Sequence, residues 1–479
     1  MALDFDKSRL IRIFGEVPSA VTEEDFARSS MREFVRSQDH LAFSTPKATG
    51  QRLTAWQAYQ AFGLDKLEEV IEHSSAVLTL DPLEPAQTLR RSREARGLEL
   101  DDIADAIGVS HSDVANAENP KHITPIQLLN KIAASLGVEE STLTARAATA
   151  SDERLAYRLR QMKTSKPDFT PRTVISFDEA AWVIQKQEIL AEWLGNRVDL
   201  KELGFAEDSR YGDKHYPAWQ LGYDLAHATR NRLGIKQGEP IDKLRDLVEV
   251  QLKIPLVHLE LSNQFAGATI AIGPTRGIAV NINGLNKNDW VRRATIAHEL
   301  GHLLWDPDQN LRSLVVDTFD EIEDNPLQQK HDWVEARANA FAIEFLAPRE
   351  YALEVYNSTT DKETALRNVM VHFGVSFISA RFQIWNALER SVALESFRVS
   401  DVEPTPDWKG RESFTNDFFV PDDVPVSRRG YFALYVVEAM KKRLISVDSA
   451  ASYLQISNEE VQSNAASIRD LFRKTNVAN

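Results

Sequence analysis

The fold of this chain is decided by the stretch TIAHELGHLLW, which runs from Thr295 to Trp305. Good helix formers fill it, Asn288 stands before it as a candidate N-cap, and a proline two residues after Trp305 ends it. Positions four apart lie on one face of a helix, so His298 and His302 direct their imidazoles to one point. Two neutral imidazoles are half of a tetrahedral zinc site. The stretch therefore predicts a buried helix that carries two metal ligands.

A carboxylate lies between the two histidines. Glu299 is one position round the helix from His298, which suits a general base acting on water rather than a ligand. The alternative is that two histidines fall four apart on a buried helix by chance. Apolar residues flank the motif, however, and a buried carboxylate there is costly without a partner. A metal ion supplies that partner.

A catalytic zinc site needs a third protein ligand and leaves its fourth position to water. The candidate is Glu335, on a second predicted helix that Pro348 ends. Asn339 follows four residues later and faces the same way, so we expect it to hydrogen-bond a ligand from outside. The apolar stripe of this helix consists of Val334, Ala338, Phe341, Ala342 and Phe345.

Spacing alone leaves two alternatives for the third ligand. Asp332 and Glu335 have the spacing of a capping box, in which Glu335 only bonds the start of the helix. The other alternative is a carboxylate from an acidic run, although such a run is typical of a solvated loop. The run consists of Asp317, Asp320, Glu321, Glu323 and Asp324.

The two helices together resemble the ImmA/IrrE family of metallopeptidases. The resemblance rests on RRATIAHELGHLL at 292–304 and EARANAFAIEFLAPR at 335–349, and it covers roughly 218–388. It implies an α+β zincin-like (gluzincin-type) domain with a small sheet. By position, it also implies that His298, His302 and Glu335 bind Zn²⁺ and that Glu299 is the general base. Mn²⁺ or Fe²⁺ also suits these ligands.

The sheet of that domain offers a place for substrate. The segment GIAVNIN, residues 277–283, is expected to be an edge strand against which an extended peptide pairs.

A second resemblance lies upstream. The segment LRRSREARGLELDDIADAIGVSHSDVANAEN, residues 89–119, resembles the XRE-type, repressor-like helix-turn-helix domain, with Gly108 at the turn and Ser110 as the cap of the recognition helix. Residues 86–140 hold six basic and nine acidic residues, which is unlike a DNA-binding footprint. The alternative is a module that docks a protein partner or another copy of itself. The candidate nucleic-acid-binding residues are Arg90, Arg93, His111, Ser112 and Asn116.

Composition sets the class of the whole protein. The 479 residues are 43% hydrophobic and 27% charged and include no cysteine, so thiol chemistry and cysteine-based zinc sites are excluded. The net charge of −15 argues against broad nucleic-acid binding. The N-terminus has no signal-peptide core and no apolar run spans a membrane, so we expect a cytoplasmic protein without membrane contact.

The expected fold is mainly α and multi-domain. The predicted domains are a helical N-terminal extension (1–85), a helix-turn-helix domain (86–147), a helical connector (148–215), the ImmA/IrrE-like metallopeptidase domain (216–392) and a C-terminal helical domain (393–479).

The function expected from these features is a zinc-dependent endopeptidase coupled to a helix-turn-helix regulator. Relatives in the ImmA/IrrE family act on DNA-binding repressors, so the resemblance implies a helix-turn-helix repressor as protein substrate, in a stress, mobile-element or defence response. DNA and a homo-oligomeric copy are further candidate partners. The alternative is a non-proteolytic DNA- or partner-binding transcriptional regulator or antitoxin with a structural or sensory metal. An intact Glu299 argues against it, because a structural site needs no base.

Overall fold

The computed structural model describes residues 7–79, 81–140, 143, 150–166, 168–198, 200, 205, 210, 215–272, 275–306, 314–319, 333–412 and 422–476. The chain divides into two compact units, one made of Met1–Asn196 with Phe419–Asn479 and the other of Arg197–Phe418. The described residues are mainly helical with small sheets, as the sequence predicts. Within these ranges, no helix is long and apolar enough to cross a bilayer.

The first unit begins with three helices and a four-stranded antiparallel sheet of order β3-β1-β2-β4. The predicted helical extension over 1–85 is therefore wrong in part. Strands of three or four residues are too short for an alternating pattern to be recognised in the sequence. The elements are α1 (Lys7–Phe14), α2 (Glu23–Ser29), β1 (Glu33–Arg36), β2 (His40–Phe43), β3 (Gln51–Thr54), α3 (Ala55–His73) and β4 (Ser75–Val77).

Four short helices occupy the predicted helix-turn-helix segment. Gly108 ends the second of them with φ 68°, in the left-handed region where glycine is favoured. Ser110 caps the third, because its side chain accepts a hydrogen bond from the backbone of Asp113. The identification of this segment as a helix-turn-helix domain stays a prediction. The helices are α4 (Ala86–Ala95), α5 (Leu100–Ile107), α6 (His111–Ala117) and α7 (Ile126–Ser135).

The next two helices are α8 (Ala150–Ser165) and α9 (Pro171–Trp193). Both lie in the predicted helical connector (148–215), which was expected to link two domains. Instead α9 is buried along most of its length and packs against α5 and α7. Two of its charged residues are buried in ion pairs, Asp178 with Arg96 and Lys186 with Glu140. This helix therefore belongs to the core of the first unit.

The second unit contains a mixed four-stranded sheet of order β5-β7-β6-β8. Strand β7 pairs parallel with β5 and antiparallel with β6, so it is an interior strand and the prediction of an edge at 277–283 is wrong. Sheet order depends on which distant strands pair, and a single apolar segment does not report that. The elements are α10 (Ala218–Arg232), α11 (Leu244–Asp246), a π-helical turn (Leu247–Gln251), β5 (Leu256–Leu259), β6 (Phe265–Ile272), β7 (Thr275–Asn281) and β8 (Leu314–Thr318).

Two helices lie against each other beside this sheet. After a 3₁₀ turn (Gly284–Lys287), α12 (Asp289–Trp305) packs on β6 and β7 and against α13 (Trp333–Leu346). Helix α10 packs closely along α13, since a Cβ at Gly222 would lie 2.4 Å from the carbonyl oxygen of Arg337. Only glycine permits this backbone approach.

Further helices complete both units. The second unit continues with α14 (Arg349–Tyr356), α15 (Lys362–Phe373), α16 (Phe377–Ala387), a 3₁₀ turn (Leu394–Ser396) and α17 (Pro406–Glu412). The first unit ends with a 3₁₀ turn (Val426–Arg428), α18 (Tyr431–Lys441), α19 (Val447–Leu454) and α20 (Asn458–Asn476). The predicted C-terminal domain is thus divided between the two units, and the other predicted boundaries stay predictions.

Candidate metal centre

Helix α12 has the start that the sequence predicts. The side chain of Asn288 accepts hydrogen bonds from the backbone N–H groups of Trp290 and Val291, at 3.0 and 3.4 Å. His298, Glu299 and His302 on this helix are fully buried. The predicted buried helix is confirmed.

The two histidines meet a carboxylate from α13. The Nε2 atoms of His298 and His302 lie 3.1 Å apart. The Oε2 atom of Glu335 lies 3.2 Å from Nε2 of His298 and 3.6 Å from Nε2 of His302. Glu335 therefore faces the two histidines, as its predicted role of third ligand requires. The proposed capping partner, Asp332, lies outside the described residues.

A second carboxylate reaches the same point from β8. Asp317 Oδ2 lies 3.4 Å from His298 Nε2, and one donor atom from each of His298, His302, Asp317 and Glu335 lies within 4.8 Å of the others. The expectation that the acidic run is solvated is therefore wrong at Asp317, because β8 pairs with β6 and buries this side chain. The other members of the run, Asp320, Glu321, Glu323 and Asp324, lie outside the described residues.

The four groups fit a divalent cation. Burial lowers the pKa of His298, but the carboxylates of Asp317 and Glu335 outweigh it and raise that pKa to about 10. Burial also opposes charge on His302 and Glu335, yet their mutual attraction raises the pKa of His302 and holds the pKa of Glu335 well below its usual range. The buried carboxylate of Asp317 and the partly exposed one of Glu335 thus attract protons to two imidazoles whose nitrogens are in contact. A metal ion would replace those protons and would satisfy the donor atoms of all four residues.

Asp306 and Arg337 orient the imidazole of His302. Its Nδ1 atom lies 2.8 Å from Oδ2 of Asp306, and the other carboxylate oxygen of Asp306 accepts a hydrogen bond from the buried guanidinium of Arg337. A carboxylate at Nδ1 fixes the tautomer and leaves Nε2 free to bind a metal. Sequence reasoning missed this pair. The available signal was an aspartate four residues after His302 on the same helix face.

The carboxylate of Glu299 points to the sheet. Its Oε2 atom accepts a 2.7 Å hydrogen bond from the hydroxyl of Thr269, whereas Oε1 has no hydrogen-bond partner among the described residues. A Cβ at Gly267 would lie 2.7 Å from Oε1, so glycine leaves the space that this oxygen occupies. Burial and the nearby charge of Asp317 raise the pKa of Glu299 well above its usual value.

Asn339 is buried on α13, one turn after Glu335. It lines a small cavity of about 30 Å³ together with Val291, Phe319 and Ser379. A hydrogen bond from Asn339 to a metal ligand stays a prediction.

The structure separates the five predicted nucleic-acid-binding residues. His111, Ser112 and Asn116 lie together on α6, and the first two are exposed. Arg90 is exposed on α4, but Arg93 is buried and its guanidinium donates to both carboxylate oxygens of Glu118, at 2.7 and 2.9 Å. This side chain serves the packing of the helices, so the structure does not support a contact between Arg93 and phosphate.

Comparison with known proteins gives one match, and it lies in the second unit. No curated protein matches the chain. A family model does match residues 274–384, a range that contains α12, β8 and α13, and that family is described as the IrrE N-terminal-like domain, Peptidase_M78. Its members are metallopeptidases that typically depend on zinc, so this part of the chain is similar to a metallopeptidase domain of the ImmA/IrrE type.

Proposed function

We propose that the chain is a zinc-dependent endopeptidase of the ImmA/IrrE type, with His298, His302 and Glu335 as metal ligands and Glu299 as general base. The observation that carries this proposal is the position of Glu299. Its carboxylate is fully buried next to the ligand cluster, and one of its oxygens has no hydrogen bond among the described residues. A purely structural metal site has no use for such a group, whereas hydrolysis needs a base there.

Each residue around the cluster has a task in that reaction. His298, His302 and Glu335 would hold the zinc, which would supply Lewis-acid chemistry by polarising a peptide carbonyl and lowering the pKa of water. Glu299 takes the proton of the attacking water on Oε1 and delivers it to the leaving nitrogen. Thr269 holds Oε2 and so fixes the direction of Oε1. Asp306 keeps the imidazole of His302 in its binding orientation.

We infer the substrate class from the family resemblance. The proposed substrate is a helix-turn-helix repressor of a stress, mobile-element or defence response. The helices α4 to α7 of this chain fall where the sequence predicts a repressor-like module, and such a module can imitate or bind the repressor. The burial of Arg93 and Arg96 in ion pairs leaves few cations for DNA, which favours a protein partner for this segment.

The test is a survey of new protein N-termini in cells that express the wild type or Glu299→Gln. This substitution keeps the shape of the side chain and removes the base, so we expect zinc content to persist and cleavage to fall by about 10²–10⁴-fold. Glu350→Gln, an exposed change on α14, is the matched control and is expected to cleave normally. Equal fragments from wild type and Glu299→Gln would reject the peptidase.

A second function is favoured by one observation. Asp317 adds a fourth protein donor to the cluster, and closed four-ligand sites are typical of structural zinc. The alternative is therefore a non-proteolytic regulator or antitoxin whose metal is structural or sensory. It predicts that Glu299→Gln keeps the full cellular phenotype and that Arg90→Ala with Arg91→Ala weakens salt-dependent DNA binding. Both arginines are exposed, although Arg90 also donates a hydrogen bond to the backbone carbonyl of Glu118, and they are better probes than the buried Arg93.

A further inference from the structure

Strand β8 brings a buried acid to the cluster without an arginine or lysine. Asp317 is 2% exposed, and its Oδ2 atom has no hydrogen-bond partner in the described part of the chain. Among the described residues, its ion pair is with His298. Nearby buried acids are different, since Asp306 pairs with Arg337 and Glu412 with Arg293. A buried carboxylate without a fixed cation of this kind is costly.

Four distances between donor atoms are close to those of a four-ligand zinc site. With bonds of about 2.0–2.1 Å, donor atoms at the corners of a tetrahedron lie about 3.3 Å from each other. The contacts in the cluster are 3.1 Å between the histidine nitrogens, 3.2 and 3.6 Å to Glu335, and 3.4 Å from His298 to Asp317. Asp317 thus lies at a ligand's distance from His298, whereas Glu335 lies at that distance from both histidines, and the four donor atoms are all within 4.8 Å of one another.

We infer that Asp317 is the fourth protein ligand of the cation and that it closes the site in the conformation described above. The inference that this closure keeps an enzyme latent rests on the proposed peptidase function. In a catalytic zinc site the fourth position is left to water or substrate. With Asp317 on that position, a peptide carbonyl has no place to bind, so activity requires the carboxylate to leave.

The strand that carries Asp317 is suited to such a movement. Strand β8 lies at the end of the sheet order and pairs with β6 alone among the described strands. The register between β6 and β8 shifts between Phe265 and Gly267, next to the pairing of Gly267 with Asp317. A bulge of this kind interrupts the ladder of hydrogen bonds and is common beside active sites. The bulge therefore makes the ladder between β6 and β8 less regular at the end of β8 that carries Asp317.

The experiment uses the full-length protein and the variants Asp317→Ala and Asp317→Asn. Zinc affinity is measured by competition with a chelating dye. We expect each variant to bind zinc at least tenfold more weakly than the wild type. Residues that only hydrogen-bond a metal ligand already contribute about 10–100-fold to metal affinity, so a ligand should contribute at least as much. Thr318→Val, the next residue on β8 with its side chain on the opposite face, is the control and should bind zinc normally.

The second readout is access to the metal. Acetohydroxamate binds zinc through two oxygens and serves as the probe, followed in the cobalt-substituted protein by the visible spectrum. We expect the Asp317→Ala protein to bind the probe at least tenfold more tightly than the wild type, because removal of the carboxylate opens a position. If Asp317→Ala does not fold, Asp317→Asn preserves the shape of the side chain and both readouts are made on it.

The two inferences fail in different ways. Unchanged zinc affinity in the Asp317 variants, or equal binding of acetohydroxamate to wild type and variant, overturns the ligand role of Asp317. If the variants lose affinity and admit the probe but no protein fragment depends on Glu299, the closed site stands and the peptidase function fails. Faster cleavage by the variants, at zinc concentrations that saturate them, supports latency, and slower cleavage at saturation overturns it.

Discussion

Asp306 Oδ2 lies 2.8 Å from Nδ1 of His302, at the end of the helix that carries both histidines. The same carboxylate accepts a hydrogen bond from the guanidinium of Arg337 on α13, the helix of Glu335. One side chain thus joins the two helices and orients a metal-binding imidazole. The orientation of the site and the packing of its helices are therefore coupled.

Asp306→Asn is expected to weaken both the binding of zinc and the packing of α12 against α13. It removes the carboxylate behind His302, so zinc affinity should fall about 10–100-fold. It also removes the carboxylate that accepts a hydrogen bond from the fully buried guanidinium of Arg337, which should lower the free energy of unfolding by about 1.5–3 kcal/mol. Dye competition and denaturant unfolding measure the two effects. Asp407→Asn, which removes an exposed acid paired with Arg411, is the control, and a similar loss there would contradict the argument.

Gly267→Ala is expected to reduce cleavage while zinc stays bound. The new methyl group would lie 2.7 Å from Oε1 of Glu299 and 2.8 Å from Cγ2 of Thr295, so the carboxylate must move. A displaced general base loses a large part of its effect on kcat. Zinc content, measured by atomic absorption, should therefore stay at the wild-type level while the cleavage rate falls. Gly410→Ala, whose Cβ meets open space, is the matched control; normal cleavage by Gly267→Ala would show that Glu299 tolerates displacement.

The ion pair between Lys186 and Glu140 makes the stability of the first unit depend on pH. Burial opposes the charge of Glu140, but Lys186 outweighs it and holds the pKa of Glu140 below the ordinary 4.5. A lowered carboxyl pKa stabilises the fold above the ordinary value, and this contribution is lost as pH falls through the lowered one. Lys186→Gln should therefore lower the free energy of unfolding by about 3–5 kcal/mol at neutral pH. The loss should become progressively smaller below about pH 4.

Denaturant unfolding of wild type and Lys186→Gln across this range measures that difference. Lys66→Gln, which breaks the partly exposed pair with Glu69, should cost less than about 1 kcal/mol at every pH. A constant difference between wild type and Lys186→Gln down to pH 3 would contradict the role of Glu140.

Arg93→Gln is expected to destabilise the helices of the first unit rather than to alter DNA binding. The arginine donates two hydrogen bonds to Glu118 and one to the carbonyl of Leu98, so its loss should cost about 1.5–3 kcal/mol. Thermal unfolding checks this. Arg91→Gln on the same helix is exposed and should stay within about 0.5 kcal/mol of the wild type. Equal stability of the two variants would refute the structural role of Arg93.

The parts of the site that sequence analysis located are those set by local spacing. The positions of His298 and His302 follow from the period of a helix, and the cap at Asn288 follows from its side chain. Asp317 was predicted to be solvated, because its acidic neighbours dominate the local pattern and its burial depends on pairing with β6. Contacts such as Thr269 to Glu299 join distant strands and helices, which a single sequence does not report.

The same reason explains the errors in the fold. The central position of β7 follows from a parallel pairing with β5, and the short strands β1 to β4 are stabilised by each other rather than by any local pattern. Helix α13, with fourteen residues, was predicted from its apolar stripe and from the proline that ends it.

The contact of Gly222 with the backbone of Arg337 determines how much of the chain is needed to express the site on its own. Helix α10 supports α13 from a segment that precedes the matched range 274–384 by more than forty residues. Arg230, also on α10, donates a hydrogen bond to the carbonyl of Phe345 at the end of α13. A fragment cut to the matched range would expose the apolar face of α13 to water. An autonomous fragment of the second unit therefore has to start before Ala218.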